Sequence, residues 1–342
     1  SIMTLQSSGQ ISFSQIRDEF GANDGSAVSL GRYRNTSSSF SNKNVGSLSD
    51  LPLDTGVPKS GTISASSFYS KKLNVVVDLH SQSNNTTRQN IRGRWNSNNV
   101  QVVGGYRSRP SSGANVRVIA NINKTIGSST GGTAEAAVRT GNWELNTTLE
   151  LEVGSNGKIY GAGGNGGDGG NSNGSGGGNG GSGSTALGIT YQCTVNNLGR
   201  IQSGYGGGGG GSGVRYWIQS GKKSGGWHGS TGGGGGAGAG YPNGNGGDSP
   251  GGAYGSGSNG SDGGNGSDES SGGGGGGGNS AGSGGDGGVV NNSSTSGSGG
   301  TGGGTSTGGG ANGYAIMTAH GSLPTITGNA VIGRTITNSN PQ

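Results

Sequence analysis

The stretch Gly163-Gly164-Asn165-Gly166-Gly167-Asp168-Gly169-Gly170-Asn171 places a polar residue at every third position among glycines. Three residues per turn is the repeat of the polyproline-II type of helix, which makes no hydrogen bonds within its own strand. Without side chains, such helices can approach one another closely, and their N–H and C=O groups can pair between neighbours. We therefore expect polyglycine-II helices packed side by side, with the Asn and Asp side chains lining the solvent face.

Glycine dominates one block of the chain. The sequence has 342 residues and 88 Gly, of which 68 lie within Gly161–Gly313, and its hydrophobic content is 25%. This block has too few apolar side chains for a conventional core, which excludes an enzyme built on one core over the whole length. Collagen is excluded because 7 Pro are too few and no strict Gly-X-Y register runs through the block. A flexible linker is the alternative to a packed glycine layer.

Uninterrupted glycine runs predict interior helices with no outward face. These runs are Gly206–Gly211, Gly232–Gly236 and Gly272–Gly278. A second pattern, V-x-x-x-G-(K/R)-I, occurs at Val153–Ile159 and Val195–Ile201, and each copy opens into Gly-rich sequence. It predicts a strand, a tight turn whose Gly has a positive φ, a short strand and then an extended glycine helix.

The first part of the chain, 1–72, contains a short repeat, S-G-x-I-S-x-S-x-(I/F), at 8–16 and 60–68. In the first copy Ser12 and Gln15 have the spacing of a capping box, which predicts a short helix, Gln15–Phe20, ending at Gly21. Small capped turns of this kind do not make an independent domain. We expect them to be docking elements that lie along a larger surface.

Residues 73–160 predict a small antiparallel β-sandwich. The candidate strands are Leu73–Leu79, Asn115–Ile122 and Trp143–Val153, and the last two alternate with period two. In the third strand Leu145, Leu149 and Leu151 would point inward. Glu144, Glu150 and Glu152 would lie on the opposite, wet face rather than form a catalytic pair. The connections, 81–99 for example, are expected to be long polar loops.

The predicted fold is thus mainly β. It comprises N-terminal capped-turn modules (1–72), the β-sandwich (73–160), a glycine-rich polyglycine-II domain (161–313) and C-terminal closing strands with a tail (314–342).

Metal, cofactor and catalytic chemistry find little support in the sequence. Cys193 is the single cysteine, and His80, His228 and His320 lie far apart without metal-ligand spacing. We therefore expect no cofactor, no metal site and no catalytic residues. No apolar window reaches the roughly 18 residues of a membrane span. The arginines of the first part are scattered despite a net charge of +5, so neither membrane insertion nor nucleic-acid binding is expected.

Candidate binding residues concentrate in one interruption of the glycine block, Val214–His228. Exposed aromatic rings beside Arg and Lys suit stacking on sugar faces and pairing with anionic groups of polysaccharide or lipopolysaccharide. The candidates are Arg215, Tyr216, Trp217, Lys222, Lys223, Trp227 and His228, with Tyr241 and Tyr254 as secondary loop candidates. The alternative is that Tyr216 and Trp217 cap the end of the glycine layer as a small core. Tyr205 is expected to pack at an end of the scaffold.

The sequence resembles tailed-bacteriophage tail-fibre and tail-tip proteins of the adhesin type. Val195–Gly211 is similar to the entry to their glycine-rich domains, and the 8–16 repeat resembles N-terminal modules of phage virion proteins. The ending Gly313–Ile316, followed by Gly328–Arg334, is similar to the strands that close such domains. The resemblance implies a polyglycine-II sandwich whose loops contact receptors on the host surface.

This resemblance implies a virion protein of the tail or fibre that presents loops to a host glycan. Its N-terminal part would dock on other virion proteins, and a homotrimer is left open. The docking candidates are Ile11, Phe13, Ile16, Phe20, Ile63 and Phe68. Two alternatives remain: a purely structural baseplate, neck or collar component, and a polysaccharide depolymerase, which lacks a convergent acid pair.

Overall fold

The computed structural model describes residues 4–22, 29–34, 53–79, 88–129, 132–288 and 307–342. The protein is mainly β. The helices are α1 (Phe13–Phe20) and α2 (Ile91–Asn96), with 3₁₀ helices at Leu30–Tyr33 and Ala65–Phe68. The first eight strands are β1 (Asn74–Asp78), β2 (Gln89–Asn90), β3 (Val100–Val102), β4 (Arg117–Ile122), β5 (Thr125–Gly127), β6 (Ala136–Arg139), β7 (Thr148–Val153) and β8 (Lys158–Tyr160). The others are β9 (Thr185–Ile189), β10 (Thr194–Asn197), β11 (Arg200–Gln202), β12 (Val214–Gln219), β13 (Gly225–Ser230), β14 (Ile316–Thr318), β15 (Thr325–Gly328) and β16 (Thr335–Ile336). No helix within the described ranges is long and apolar enough to cross a bilayer.

Three sheets wind around a common core as a parallel β-helix of five successive coils. The first face stacks β1, β4, β7, β10 and β15, and the third face stacks β2, β6, β9, β14 and β16. The second face stacks β5, β8 and β11, and an isolated bridge from Gln202 to Ile332 extends it into the last coil. The last four coils pass through the three faces in the same order, and the first coil contributes β1 and β2 to the first and third faces, so neighbouring strands belong to successive coils.

Inward rows of apolar side chains hold the coils together. One row on the first face consists of Val77, Ala120, Leu151, Val195 and Ile326. A row on the second face consists of Ile126, Ile159 and Ile201. All of these residues except Ile326 belong to one buried apolar cluster, and Ile326 is partly buried and packs against it. The apolar core that the glycine block lacks is therefore supplied by the β-helix.

The outward rows of the first face contain charged and polar side chains together with the apolar Val76 and Ile119. Arg117 donates two hydrogen bonds to the carboxylate of Glu150, at 2.7 and 2.6 Å, from one coil to the next. Asn196 donates to Glu152 at 2.8 Å in the same way. Burial raises the pKa of Glu152 above its ordinary value. The period-two alternation predicted for Leu149–Val153 is present, and its acidic residues bind neighbouring coils.

The antiparallel arrangement predicted for 73–160 is wrong. In the described residues β1, β4, β7, β10 and β15 pair in parallel, and antiparallel pairing is found for β1 with β3 and for β12 with β13. The reason is that each strand pairs with its counterpart one full coil later, when the chain runs in the same direction again. The sheets also contain strands from both sides of residues 160 and 313. The predicted division into separate domains stays a prediction.

Two local expectations for the β part also fail. The third candidate strand begins at Thr148 rather than at Trp143, because Asn146 has a φ of 67° and turns the chain. Leu145 is 83% exposed, whereas Trp143 is buried edge-to-face against Trp95. The expected loop 81–99 contains β2 and α2 in its described portion, 88–99, and its residues 81–87 lie outside the described ranges.

The N-terminal repeats fold as expected into short capped helices. Ser12 and Gln15 form the capping box of α1, which begins two residues earlier than predicted and ends at Gly21 with a φ of 86°. The second repeat makes the same box with Ser64 and Ser67. The turns pack on the β-helix, since Leu73 donates to the Glu19 carboxylate at 2.6 Å immediately before β1.

Most of the predicted docking side chains point into the contact between these N-terminal turns and the β-helix. Ile11, Ile16, Phe20 and Phe68 are buried in the same apolar cluster as the β-helix core. The rings of Phe20 and Phe68 lie 6.0 Å apart, and Tyr33 contacts both. These four side chains are therefore not available to a partner, because they cover the open end of the chain's own core. Ile63 packs against that core, and Phe13 remains 39% exposed.

The glycine-rich segments enter at one corner of the β-helix, between the second and third faces. We use the name glycine layer for residues 161–184, 204–213, 231–288 and 307–313. The segment 161–184 lies between β8 and β9, and the longer insertion lies between β11 and β14 one coil later. Both insertions therefore leave and return on the same side of the core.

Backbone hydrogen bonds join neighbouring segments of the glycine layer at every third residue. Gly164, Gly167 and Gly170 donate to Tyr205, Gly208 and Gly211, each at 2.8 Å. On another side of the same segment, Gly238, Gly235 and Gly232 donate to Gly164, Gly167 and Gly170 at 2.8 to 2.9 Å. Within the described ranges, the segment 231–240 is hydrogen-bonded to six others. The backbone of the layer is thus satisfied between segments rather than within them.

The two central segments of the layer, 204–213 and 231–240, are buried at every residue. The runs Gly206–Gly211 and Gly232–Gly236 are thus interior, as predicted. The run Gly272–Gly278 is not, because it lies at the edge and its burial repeats every three residues, with Gly273 and Gly276 exposed. Lack of side chains therefore does not by itself identify an interior segment.

Polar residues at every third position do more than line the solvent face. Asn165 and Asp168 are exposed, and their Oδ1 atoms accept hydrogen bonds from the backbone N–H of Asn245 (2.9 Å) and Asp248 (3.0 Å). The Oδ1 of Asn265 accepts from Gly246 at 2.8 Å in the same way. These side chains satisfy outer backbone donors that have no glycine segment beyond them.

The glycine of the V-x-x-x-G-(K/R)-I corners is required for space rather than for a positive φ. Neither Gly157 nor Gly199 has a positive φ. A Cβ on Gly157 would lie 2.2 Å from the carbonyl oxygen of Ile122, and one on Gly199 would lie 2.0 Å from that of Gly157. Successive coils therefore touch backbone to backbone at this corner.

Close backbone approach predicts that a single methyl group in the layer is destabilising. A Cβ on Gly207 would lie 1.9 Å from the carbonyl oxygen of Asn165. We expect Gly207→Ala to lower the free energy of unfolding by at least about 2 kcal/mol, measured by chemical denaturation. Gly251→Ala is the control, because nothing lies within 4 Å of its Cβ position. Equal stability of the two variants would contradict the close packing of these segments.

The single thiol reports on the β-helix core. Cys193 is buried at the corner between β9 and β10, and burial raises the pKa of its thiol to about 12. Since the thiolate is the reactive form, we expect no reaction with a chromogenic disulfide reagent at neutral pH until denaturant is added. Leu145→Cys supplies an exposed control thiol that should react at once. Rapid reaction of Cys193 in the native chain would contradict this core.

Candidate functional site

The predicted binding segment is an antiparallel hairpin formed by β12 and β13. It continues directly from the two buried segments of the glycine layer, since Gly213 precedes β12 and Thr231 follows β13. Gly213 donates to Ser175 at 2.9 Å, and Gly232 donates to Gly170 at 2.8 Å. The base of the hairpin is therefore fixed by the layer, and the rest extends beyond it.

One face of the hairpin carries Arg215, Trp217 and Trp227. The two tryptophans are directly opposite in the register, and their ring centroids lie 5.3 Å apart in an edge-to-face arrangement. The guanidinium carbon of Arg215 lies 4.2 Å from the centre of the Trp227 ring. A cation over an exposed ring contributes about 0.5–1 kcal/mol, which favours this arrangement of the three groups. Trp217 and Trp227 are nevertheless 52% and 51% exposed.

The opposite face of the hairpin is joined to the loop that contains Tyr254. Tyr216 and His228 stack with their ring centroids 5.7 Å apart. The Nδ1 atom of His228 accepts a hydrogen bond from the backbone N–H of Ser256. Tyr254 pairs with Gly229 as an isolated antiparallel bridge. The loop therefore lies along the edge of β13: it supports His228 on this face, while the Tyr254 ring lies against the Cβ position of Gly229, on the face that carries Arg215 and Trp227.

The turn of the hairpin adds positive charge. Lys222 and Lys223 are exposed in the turn, and the sequence 214–230 contains three basic residues and no Asp or Glu. Exposed rings beside cations that lack carboxylate neighbours in the same hairpin suit a ligand with apolar sugar faces and anionic groups.

The structure brings together eight of the nine binding candidates and separates the other. Tyr254 lies beside the hairpin, but Tyr241 donates its backbone N–H to Gly161 at the β-helix end of the layer. Tyr241 therefore belongs to the opposite end, where it accepts from Ser128 at 3.2 Å. Tyr205 is fully buried where β11 passes into the layer, as predicted, and burial raises its pKa.

Three residues of the site are not identified by the sequence. Gly225 makes room for a tryptophan ring, since a Cβ there would lie 2.5 Å from Cζ2 of Trp217. Gly255 does the same beside His228, and Ser256 fixes the imidazole. Glycines and serines are so frequent in this block that no local signal distinguishes these positions.

The described residues contain no group of His, Cys, Asp or Glu side chains arranged to hold a metal ion. Arg200 and Tyr160 contact Glu269 at 3.2 Å each, and this cluster fixes a turn of the glycine layer to the second face of the β-helix. Its acidic residue is thus engaged in a structural contact.

Exposure of the hairpin rings predicts an ion-dependent quenching of fluorescence. Trp95 and Trp143 are buried, so quenching by ions should come from Trp217 and Trp227. We expect iodide to quench more strongly than caesium because of the neighbouring cations, and added salt to reduce the difference. Trp217→Phe with Trp227→Phe should remove most of the quenching, whereas Trp143→Phe should leave it. Equal quenching in both variants would contradict the exposed hairpin face.

Comparisons with known proteins give one similar structure. No protein-family model matches the chain, and no curated protein matches it. Among solved structures it is similar to the crystal structure of the gp37-gp38 adhesin tip complex of the bacteriophage S16 long tail fiber. The match covers 96% of this chain and 100% of that chain, at 19% sequence identity and a TM-score of 0.39. A TM-score this low does not show that the two chains have the same fold.

Proposed function

We propose that this protein is a bacteriophage virion protein of the tail fibre or tail tip, and that it binds a glycan of the host surface through the β12–β13 hairpin. The observation that carries the proposal is the outward face of Arg215, Trp217 and Trp227, whose two tryptophan rings are half exposed although they contact each other across the strands. The resemblance of the repeats and of the glycine-block entry to phage fibre proteins supports the virion role.

In this proposal the glycine layer is a polyglycine-II scaffold. Hydrogen bonds between segments at every third residue, and polar residues at the same period on its outer segments, support that assignment. A scaffold of this kind presents loops at the end away from the β-helix, where recognition segments can vary without changing the frame.

The ligand is inferred from the chemistry of the hairpin face. The exposed faces of Trp217 and Trp227 can stack on the apolar faces of pyranose rings. Arg215 and the lysines of the turn can pair with phosphate or carboxylate groups. Lipopolysaccharide and acidic capsular polysaccharide combine these two features. The proposed role is binding without catalysis.

The test uses purified protein on an array of bacterial lipopolysaccharides and capsular polysaccharides. We expect Trp217→Ala with Trp227→Ala to weaken binding at least about tenfold, because two stacking surfaces are removed. The melting temperature should change little, since both side chains lie outside the cores. Leu145→Ala is the control, because it removes an equally exposed apolar side chain from the β-helix.

Three results would contradict the proposal. The double variant could bind as well as the wild type, which would show that the binding site is not the tryptophan face. It could bind normally while particles that carry it fail to assemble, which would indicate a structural role for the tryptophans. Oligosaccharides released from any polysaccharide of the array would indicate a depolymerase.

A further inference from the structure

A groove runs along β3, which is the edge strand of the first face. β3 pairs with β1 on one side, and no other described strand lies on its outer side. The groove has a volume of ≈ 370 Å³ and is lined by Asn98, Val100, Gln101, Val102, Gly105, Arg107, Ser108 and Arg109. It lies on the β-helix, far in sequence from the hairpin and its glycine layer.

The edge of β3 directs backbone groups into this groove. In the antiparallel pair with β1, Asn99 and Val103 make the ladder bonds to Asp78 and Asn74, at 3.1 and 3.0 Å. Bonding alternates along an antiparallel strand, so the N–H and C=O groups of Val100 and Val102 face away from β1. The carbonyl of Val102 accepts from Gly105 at 3.2 Å. No backbone hydrogen bond from another described residue reaches either group of Val100 or the N–H of Val102, so these groups face the groove, as an added strand requires.

Two arginines line the groove with their guanidinium groups already oriented. Arg107 donates to the backbone carbonyls of Asp18 and Glu19, at 2.7 and 3.0 Å. Arg109 donates to the carbonyl of Pro110 at 3.1 Å and lies 5.4 Å from the centre of the Trp95 ring. Within the described ranges neither arginine forms an ion pair with a carboxylate. Both positive charges are therefore held in place and not neutralised by a described carboxylate.

We propose that this groove binds an extended, acidic segment of a partner protein, which adds to β3 as a further strand. The backbone edge would supply the hydrogen bonds, and Arg107 and Arg109 would pair with acidic side chains of the segment. Charge complementarity selects a protein segment with carboxylates over a basic or neutral one. The inference does not depend on the glycan proposal, since the two sites share no residue.

The test measures the fluorescence anisotropy of a labelled peptide that alternates valine and threonine and contains two glutamates. Full-length protein is expected to bind it and to bind the peptide with lysines in place of the glutamates at least about tenfold more weakly. Hydrogen exchange in the complex is expected to slow at Val100 and Val102. Raising the salt concentration from about 0.05 M to about 0.5 M is expected to weaken binding.

Two sets of variants connect the binding to the groove. Val100→Pro removes an outward N–H that an edge strand can lose without unfolding, and it should weaken binding about tenfold, whereas Val100→Thr keeps the N–H and should not. Arg107→Gln with Arg109→Gln should weaken binding about fivefold, and Lys222→Gln with Lys223→Gln, on the remote hairpin, should not. The arginine variants keep the test decisive if Val100→Pro does not fold.

Four results would overturn the proposal. They are absence of peptide binding, protection of amides elsewhere than at β3, equal binding by all variants, and a dimer of this chain whose interface protects β3. The last result would assign the edge to a second copy of the chain instead of a partner segment.

Discussion

Lateral hydrogen bonding between successive passes of the chain is the constraint on which both parts of this molecule depend. β8 pairs in parallel with β11, one coil later. Beyond these strands the same two passes stay bonded, from Gly161 with Gln202 to Gly170 with Gly211, at the same sequence offset. The β-helix therefore sets the register of the glycine layer. Where the strands end, the interval between bonds lengthens to three residues, but the neighbours remain the same.

The two parts obtain their stability differently. Inside the β-helix, rows of apolar side chains are removed from water, which is the dominant favourable contribution in an ordinary core. In the glycine layer the segments lie so close that a Cβ on Gly210 would lie 1.9 Å from the carbonyl oxygen of Asp168. Hydrogen bonds and backbone packing must then offset the large entropy that glycine loses on ordering. This explains why the outer segments use Asn and Asp to accept backbone N–H groups, since an unsatisfied donor there would weaken the hydrogen bonding on which the layer depends.

Local patterns in the sequence predicted local structure, whereas the pairing between distant segments was not predicted, although the V-x-x-x-G-(K/R)-I repeat aligns Ile159 with Ile201 in the register that β8 and β11 adopt. The capping box of Ser12 and Gln15, the alternation of Leu149–Val153 and the polar residues at every third position each act within a few residues, so they are visible in the sequence. The parallel direction of the sheets is not visible, because period-two alternation is the same in parallel and antiparallel strands. β7 pairs with β10 as well as with β4, and the glycine segment 161–184 lies between β7 and β10, so the sequence separates strands that the structure joins. The burial of Phe20 and Phe68 could not be predicted for the same reason, because it depends on where the distant strands place the core. The repeat alone does not distinguish a turn on the surface from one that covers the end of a core.

This architecture determines where the hairpin is attached to the layer, and that attachment affects how the hairpin can bind a ligand. β12 and β13 are attached to the two segments that are buried along their whole length, so the base of the hairpin lies in the most enclosed part of the layer. Ring contacts across the strands then restrict Trp217 and Trp227 further. A ligand that binds such a face loses little conformational entropy in ordering it, and side chains at the tip can change without altering any bond of the scaffold. The same arrangement therefore positions the hairpin and allows its tip residues to vary, because the layer is held together by its backbone rather than by its side chains.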